Sequence, residues 1–501
     1  MNFSKVKFPA VAAFALTVGV TVSGGVAHAS EDKTDATLDA YAAGYISNFV
    51  CSAVFNAASN TADNVPSVNK TLEQITEHEL TGIYDVVETR IHDLLEQGAL
   101  TIDDDTRSVA VAYASDSAAQ GMPPRLSVWR PALGCVDLPV GAEAEAAAHV
   151  DGLMGDLATT QHPATDSGEP WQTHADLNGT SGNAELDQVV ESAFSDHYGS
   201  GARTSAVLIA SPKEILSEHY LDGFTPTTSQ RTWSVAKSIG ASVVGAAVQQ
   251  DLVDVNDEAG LAAWSHPADP RQRITLQHLL HMSSGLDSNQ AGNRTDRIYI
   301  GGGTVADEAV GNSLESIPGQ RWKYANNDTM LALRSLRERF ESVQDYLAFP
   351  FTAVLHKIGM RHTYLEADWQ GDFILSSQVW TTSRDLARLG VLHLQQGQWN
   401  GEQILPQDWL QYVSTPSPAQ PPTPNSRGDV VPGYGAQWWL FNDRISGIPD
   451  DTIAARGNRG QFLIIVPGED LVIVRRGYDI AGEPGFDEIQ FTRDVLAALG
   501  K

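Results

Sequence analysis

The feature that most limits the fold is a run of small and apolar residues, Ser238–Val248, opened by Ser234-Val235-Ala236-Lys237. The run has no charged face, which predicts a helix buried on all sides. Ser234 and Lys237 stand three residues apart, nearly one turn, and so share a face of that helix. This places an amine within reach of a hydroxyl. A serine hydroxyl is a weak nucleophile until a neighbouring base takes its proton. Burial and the positive end of the helix both disfavour the ammonium form of Lys237, so a neutral amine can serve as that base. The unpaired N–H groups of the same helix end are donors for an oxyanion. Taken alone the pair carries little weight, because a capping serine followed by a surface lysine has the same spacing.

Around this helix the periodicities predict an α+β fold. An antiparallel sheet is flanked by helices, with a helical subdomain and a small N-terminal α+β module. Leu186, Val189, Val190 and Phe194 mark one face of a helix. Thr204–Ala210 with Ile215–Tyr220, and Gln461–Val466 with Leu471–Arg475, read as two hairpins, the second turned by Pro467-Gly468-Glu469-Asp470. Ile489–Leu499 is a closing helix. Nearer the N-terminus, Leu38–Phe55 and Val86–Leu95 are helical, while Ser108–Ala114 and Arg125–Trp129 are strands. The expected divisions are a leader at 1–29, the N-terminal module at 30–139, a linker at 140–183 and the large domain at 184–501.

The leader has Lys5 and Lys7, an apolar stretch from Phe8 to Val26, and the cleavage pattern Ala27-His28-Ala29. It predicts an exported chain, periplasmic or extracellular, with no stable membrane anchor once the leader is cut. Formal net charge is −29 and no basic stretch stands out. Nucleic-acid binding, which needs a basic footprint, is therefore excluded. Cys51 and Cys135 are the two cysteines. In an exported chain a disulfide is the natural reading, with two buried thiols as the alternative.

A second element follows the first at Tyr324-Ala325-Asn326. A phenol can relay a proton if a nearby ammonium lowers its pKa, and an amide can orient a carbonyl. With these two elements the chain resembles the class C β-lactamase and penicillin-binding-protein group, and within it the 6-aminohexanoate-dimer hydrolases and related esterases. The resemblance covers Ala184 to Leu499. It also rests on the run from Arg273-Ile274-Thr275 to Met282-Ser283-Ser284-Gly285-Leu286, on Thr382–Gly390, and on Tyr434-Gly435-Ala436-Gln437-Trp438-Trp439. The segments around Cys51 and Arg130–Cys135 resemble an N-terminal extension of some exported members.

The resemblance implies that Ser234 is the acylated nucleophile, that Lys237 and Tyr324 share the proton transfers, and that Asn326 contacts the carbonyl side of a small amide or ester. It implies neither metal nor organic cofactor. The family's third element, a Lys-Thr-Gly or His-x-Gly triplet, is absent as such. Its expected position is Asn458-Arg459-Gly460, with the Gln461 N–H completing an oxyanion hole. The missing lysine removes a grip on substrate carboxylates, for which Arg459 or Arg456 could substitute. This departure favours an esterase or amide hydrolase over a β-lactamase or D-alanyl-D-alanine peptidase. A non-catalytic binder of cell-wall peptides is the alternative from another class, against which stand all four residues Ser234, Lys237, Tyr324 and Asn326.

Competing patterns fail on their own terms. No Gly-x-Ser-x-Gly elbow occurs. His78-Glu79 is followed by Gly82 where a zinc motif needs histidine. Asp254–Asp257 lacks the glycine and closing glutamate of a calcium loop. His281 reads as a packed histidine. Of Trp438 and Trp439, strand alternation sends one to the core and leaves the other to line a pocket.

Overall fold

Every residue of Thr204–Ala210 is buried, so this strand must be covered on both faces. The computed structural model describes residues 35–58, 72–82, 85–113, 121–155, 157, 180–288, 295–425 and 428–501. The leader and most of the 140–183 linker lie outside the described residues. The strands in chain order begin with β1 (Leu100–Asp103), β2 (Ser108–Val111), β3 (Arg125–Arg130) and β4 (Gly134–Asp137), an antiparallel sheet in that order. Next come β5 (Thr204–Ala210), β6 (Ile215–Tyr220), β7 (Gln230–Arg231), β8 (Tyr364–Leu365) and β9 (Val379–Thr381). The last are the short hairpin β10 (Gln398–Trp399) and β11 (Glu402–Gln403), then β12 (Gly433–Tyr434), β13 (Trp439–Leu440), β14 (Ile453–Gly457), β15 (Gln461–Val466) and β16 (Leu471–Gly477).

The main sheet is antiparallel in the order β12-β13-β14-β15-β16-β5-β6. Side-chain alternation explains its layers. Val207, Ile209, Ile464 and Ile473 pack on Leu186, Val190, Phe491 and Val495 of the helices Ala184–Ser192 and Glu488–Ala498. Leu208, Ala210, Leu463 and Val474 face the other way, with Leu386 and Leu389 of helix Ser383–Leu394 and Val243 of helix Ala236–Gln249. That last helix is the run predicted from sequence, and it is buried from Ala236 to Ala247. Gly245 has no room for a methyl, which would fall 2.5 Å from the Trp409 ring.

The N-terminal segment shares the main core on one face of its sheet, while Val128, Val136, Leu138 and Val150 form a small cluster of their own. Its long helix Asp35–Ala58 lies on β1–β4, and Tyr45, Phe49, Trp129 and Leu133 join the same apolar cluster as Trp233, Val235 and Trp380. Residues Asp35–Lys501 form one compact unit. Cys51 on the helix is bonded to Cys135 on β4, across a sequence separation of 84. Polar contacts extend the junction. Glu366 accepts from Ser52 Oγ at 2.5 Å and Asn56 Nδ2 at 3.0 Å. Glu79 pairs with buried Arg231 at 3.5 Å. Among the described residues no helix is long and apolar enough to cross a membrane.

Candidate active site

The nucleophile sits where a tight turn becomes a helix. Trp233–Val235 is a single 3-10 turn that runs directly into Ala236–Gln249. Trp233 adopts φ +49°, a left-handed conformation unfavourable for a bulky residue. Packing holds it there. The Phe49 ring of the N-terminal helix lies 5.9 Å from its ring. The Arg231 guanidinium, itself 3.7 Å from the Phe49 centroid, lies 5.4 Å from the indole. Ser234 is then partly exposed at the helix end, and Lys237 lies one turn below it at 1% exposure.

Lys237 Nζ has three partners. Ser234 Oγ is at 3.2 Å, Asn326 Oδ1 at 2.8 Å and the Ser376 carbonyl at 2.6 Å. No carboxylate is among them. Burial without a counter-ion pulls the Lys237 pKa down from 10.5 to about 7. The geometry suits the neutral amine. Two N–H groups are taken by the two carbonyl-type acceptors, and the lone pair is left facing the serine hydroxyl.

Tyr324 approaches from the segment before helix Asn326–Arg337, whose first residue is Asn326. The Tyr324 hydroxyl neighbours the Ser234 side chain. Lys237 Nζ lies 4.9 Å from the centre of the phenol ring. Burial raises the Tyr324 pKa well above its ordinary value, with the Ser234 contact and Arg456 opposing. The condition of an ammonium lowering it is not met, because desolvation prevails. Tyr324 is a phenol here, a donor rather than a standing phenolate. Its ring stacks on Trp439 at 5.6 Å, beside Trp322 and Tyr434.

The triplet expected at Asn458-Arg459-Gly460 with Gln461 lies elsewhere. The Arg459 guanidinium turns away to the carbonyls of Glu77, Thr81, Tyr478 and Asp479, three of them at 3.1–3.2 Å. Gly460 is wedged against Arg475 and Asp479. Gln461 is 2% exposed, its amide bonded to the Arg459 and Gly477 carbonyls and its Oε1 to Arg476 Nε. Asn458 is exposed. The strand that meets the nucleophile is β14. A methyl on Gly457 would collide with the Thr232 carbonyl and sit 3.3 Å from the Ser234 amide nitrogen. Ala455-Arg456-Gly457, three residues earlier, is therefore the segment beside the nucleophile. Arg456 lies 5.6 Å from the Trp439 ring, and its charge is taken up by Glu488 at 2.5 Å.

His281 is packed, 2% exposed and edge-on to Tyr412, and burial lowers its pKa to about 4. Trp438 is fully buried against His393, while Trp439 lines the aromatic wall. Sequence reasoning missed the Ser376 carbonyl and Tyr299, which bonds to the Ser376 hydroxyl. Neither carries a local pattern.

A family model described as Beta-lactamase matches residues 190–475. The 6-aminohexanoate-dimer hydrolase of Paenarthrobacter ureafaciens is 26% identical over 295 residues, covering 54% of this chain and 72% of that protein. An uncharacterized protein of Alkalihalophilus pseudofirmus is 25% identical over 272 residues, covering 52% of this chain and 76% of that one. Among solved structures, a penicillin-binding protein homolog from Caulobacter crescentus superposes with a TM-score of 0.50 at 12% identity, over 63% of this chain and 97% of that one, a likeness of fold.

Proposed function

The chain belongs to the Beta-lactamase family, and within it we propose a serine hydrolase that cleaves a small ester or amide through an acyl-enzyme on Ser234. The observation that carries this reading is the coordination of Lys237. Two acceptors at 2.8 and 2.6 Å engage its N–H groups and Ser234 Oγ lies at 3.2 Å, so that a neutral amine held this way turns its lone pair to the serine. In the first step Ser234 Oγ attacks the substrate carbonyl carbon while its proton passes to Lys237 Nζ. The oxyanion is held by the Ser234 N–H and the N–H that follows Gly457, at Asn458. The close approach of β14 to the Ser234 amide supports this pairing. Tyr324, beside Ser234, delivers a proton to the leaving alcohol or amine and recovers one from Lys237. Water then releases the acyl group by the same steps in reverse.

The leaning toward an uncharged ester or amide rests on Arg456. It is the cation whose field reaches Tyr324, and Glu488 neutralises it. A substrate carboxylate, as in β-lactams, has no open partner there. Export is supported by the leader pattern and by the bonded Cys51 and Cys135. The test is intact-protein mass spectrometry after a fluorophosphonate probe. One adduct on wild type, absent from Ser234→Ala, is expected. A folded wild-type protein that takes no adduct would overturn the assignment and favour a non-catalytic peptide binder.

A further inference from the structure

Lys237 works as a base only if both of its acceptors stay put, and one of them is an amide that can turn over. Asn326 offers Oδ1 to the lysine in one orientation and Nδ2 in the other. The second orientation sets a donor against the amine and draws its lone pair away from Ser234.

Tyr299 stands behind this arrangement. It is 3% exposed. Its hydroxyl makes a short hydrogen bond with Ser376 Oγ and faces the side chain of Asn326. Ser376 also supplies the carbonyl that accepts from Lys237. Tyr299, Ser376 and Lys237 are thus linked in a chain, with Asn326 beside the Tyr299 hydroxyl and bonded to the lysine, and Ser234 attached at the lysine. A tyrosine hydroxyl that accepts from Nδ2 leaves Oδ1 for the lysine, which is the orientation found here.

The turn that carries Tyr299 is gripped by the N-terminal segment. The Ile300 carbonyl accepts from Arg125 Nη1 at 3.0 Å, and the same nitrogen donates to the Ala40 carbonyl at 2.8 Å. Arg125 is 1% exposed and paired with Asp137. A methyl on Gly301 would lie 2.9 Å from Tyr41 Cζ, and one on Gly302 would lie 2.6 Å from the Leu138 carbonyl. The turn therefore has no slack against residues of the long helix and of β3–β4.

We infer that Tyr299 is a positioning residue for acylation, fixing the Asn326 amide and the Ser376 turn so that Lys237 keeps its lone pair on Ser234, and that the N-terminal segment acts on the chemistry by holding Tyr299. The inference rests on the serine-hydrolase reading above and assigns the N-terminal segment a role within it.

Tyr299→Phe keeps the ring and removes the hydroxyl. The rate constant for fluorophosphonate labelling should fall about ten-fold, the loss of one well-placed hydrogen bond, with KM for a small ester little changed. An Asn326 free to turn disfavours the ammonium, so the acid limb of the labelling profile should move to lower pH. A readout independent of catalysis is the titration of Lys237 followed by NMR on protein carrying 15N in its lysine side chains. Its midpoint should move down in the variant. Wild-type labelling together with a wild-type Lys237 titration would overturn the inference. A wild-type protein that takes no label, with a Lys237 midpoint that still moves in Tyr299→Phe, would remove the hydrolase reading and keep the positioning role. Ser376→Ala, which retains the carbonyl, decides by the same two readouts should Tyr299→Phe fail to fold.

Discussion

The burial of Lys237 has a cost that can be measured without any substrate. In the folded protein its pKa is about 7, against 10.5 in an unfolded chain. Below pH 7 both states carry the proton, and the folded state bears the full penalty of a buried ammonium, about 5 kcal/mol. As pH rises above 7 the folded state gives up its proton while the unfolded chain keeps it. The unfolded state then binds more protons, so stability rises with pH until both are neutral above 10.5. Lys237→Met fills the same space without the charge. It orphans Asn326 Oδ1 and the Ser376 carbonyl, costing about 1–3 kcal/mol each at every pH. The pH-dependent part of the difference is therefore the clean quantity. The stability of wild type minus that of Lys237→Met should be flat below about pH 6.5 and then climb by about 1.4 kcal/mol per pH unit, or about 2 kcal/mol between pH 7 and 9. Urea denaturation of both proteins at matched pH gives the difference, in which all other titrations cancel. A flat difference from pH 6 to 9 would mean that Lys237 titrates normally, and the neutral-base mechanism would fall with it. The same pKa requires kcat/KM to rise with pH through about 7 on its acid side.

Other perturbations act at separate points. Tyr324→Phe should slow acylation by about 10²–10⁴-fold, the range for a positioned acid–base group, while circular dichroism shows the fold unchanged. Gly457→Ala forces β14 off the Thr232 carbonyl and the Ser234 amide. Labelling of Ser234 should drop at least about 100-fold, in line with loss of an oxyanion donor, and an unaffected rate would dissociate β14 from the site. Replacing Cys51 and Cys135 by serine opens a loop of sequence separation 84 and should cost about 4–5 kcal/mol in the chain-entropy account, read by urea denaturation. Glu488→Gln uncovers Arg456, so carboxylate-bearing esters should gain about ten-fold in kcat/KM over their neutral counterparts, a single ion pair's worth of attraction. Equal effects on both would place Arg456 outside the substrate's reach.

The parts of this protein legible in its sequence are those whose pattern is local. Thr204–Ala210 and Gln461–Val466 announce themselves because residues facing both layers are apolar. Ser234 and Lys237 meet because helical spacing brings them together. Trp438 and Trp439 part ways because strand alternation sends neighbours to opposite faces. What escaped the sequence depends on distant contacts. β12 and β13 are two residues each and have no period to detect. β14 reads Ile-Ala-Ala-Arg-Gly, too weak a pattern to mark the strand beside the nucleophile. The obvious strand after it drew the expected triplet three residues past the segment beside the nucleophile, into the turn where Arg459 binds the N-terminal segment. Tyr299 and Ser376 are 77 residues apart and meet only in the folded chain. The direction of the Tyr324 shift is not legible in sequence for an energetic reason. Whether a neighbouring lysine or burial dominates depends on how dry the site is, and Lys237 at 1% exposure answers that.

The core that the N-terminal helix shares with the helices and strands of the large domain also bears on how the protein is made. β5 finds its partner β16 only when residues Leu471–Gly477 have been synthesised, and Glu79 must wait for Arg231. Until then the ribosome releases a helix destined to be buried over most of its length and a β5–β6 hairpin with one edge open. Such surfaces invite aggregation while they stand exposed. The chain therefore commits to its fold only when almost complete.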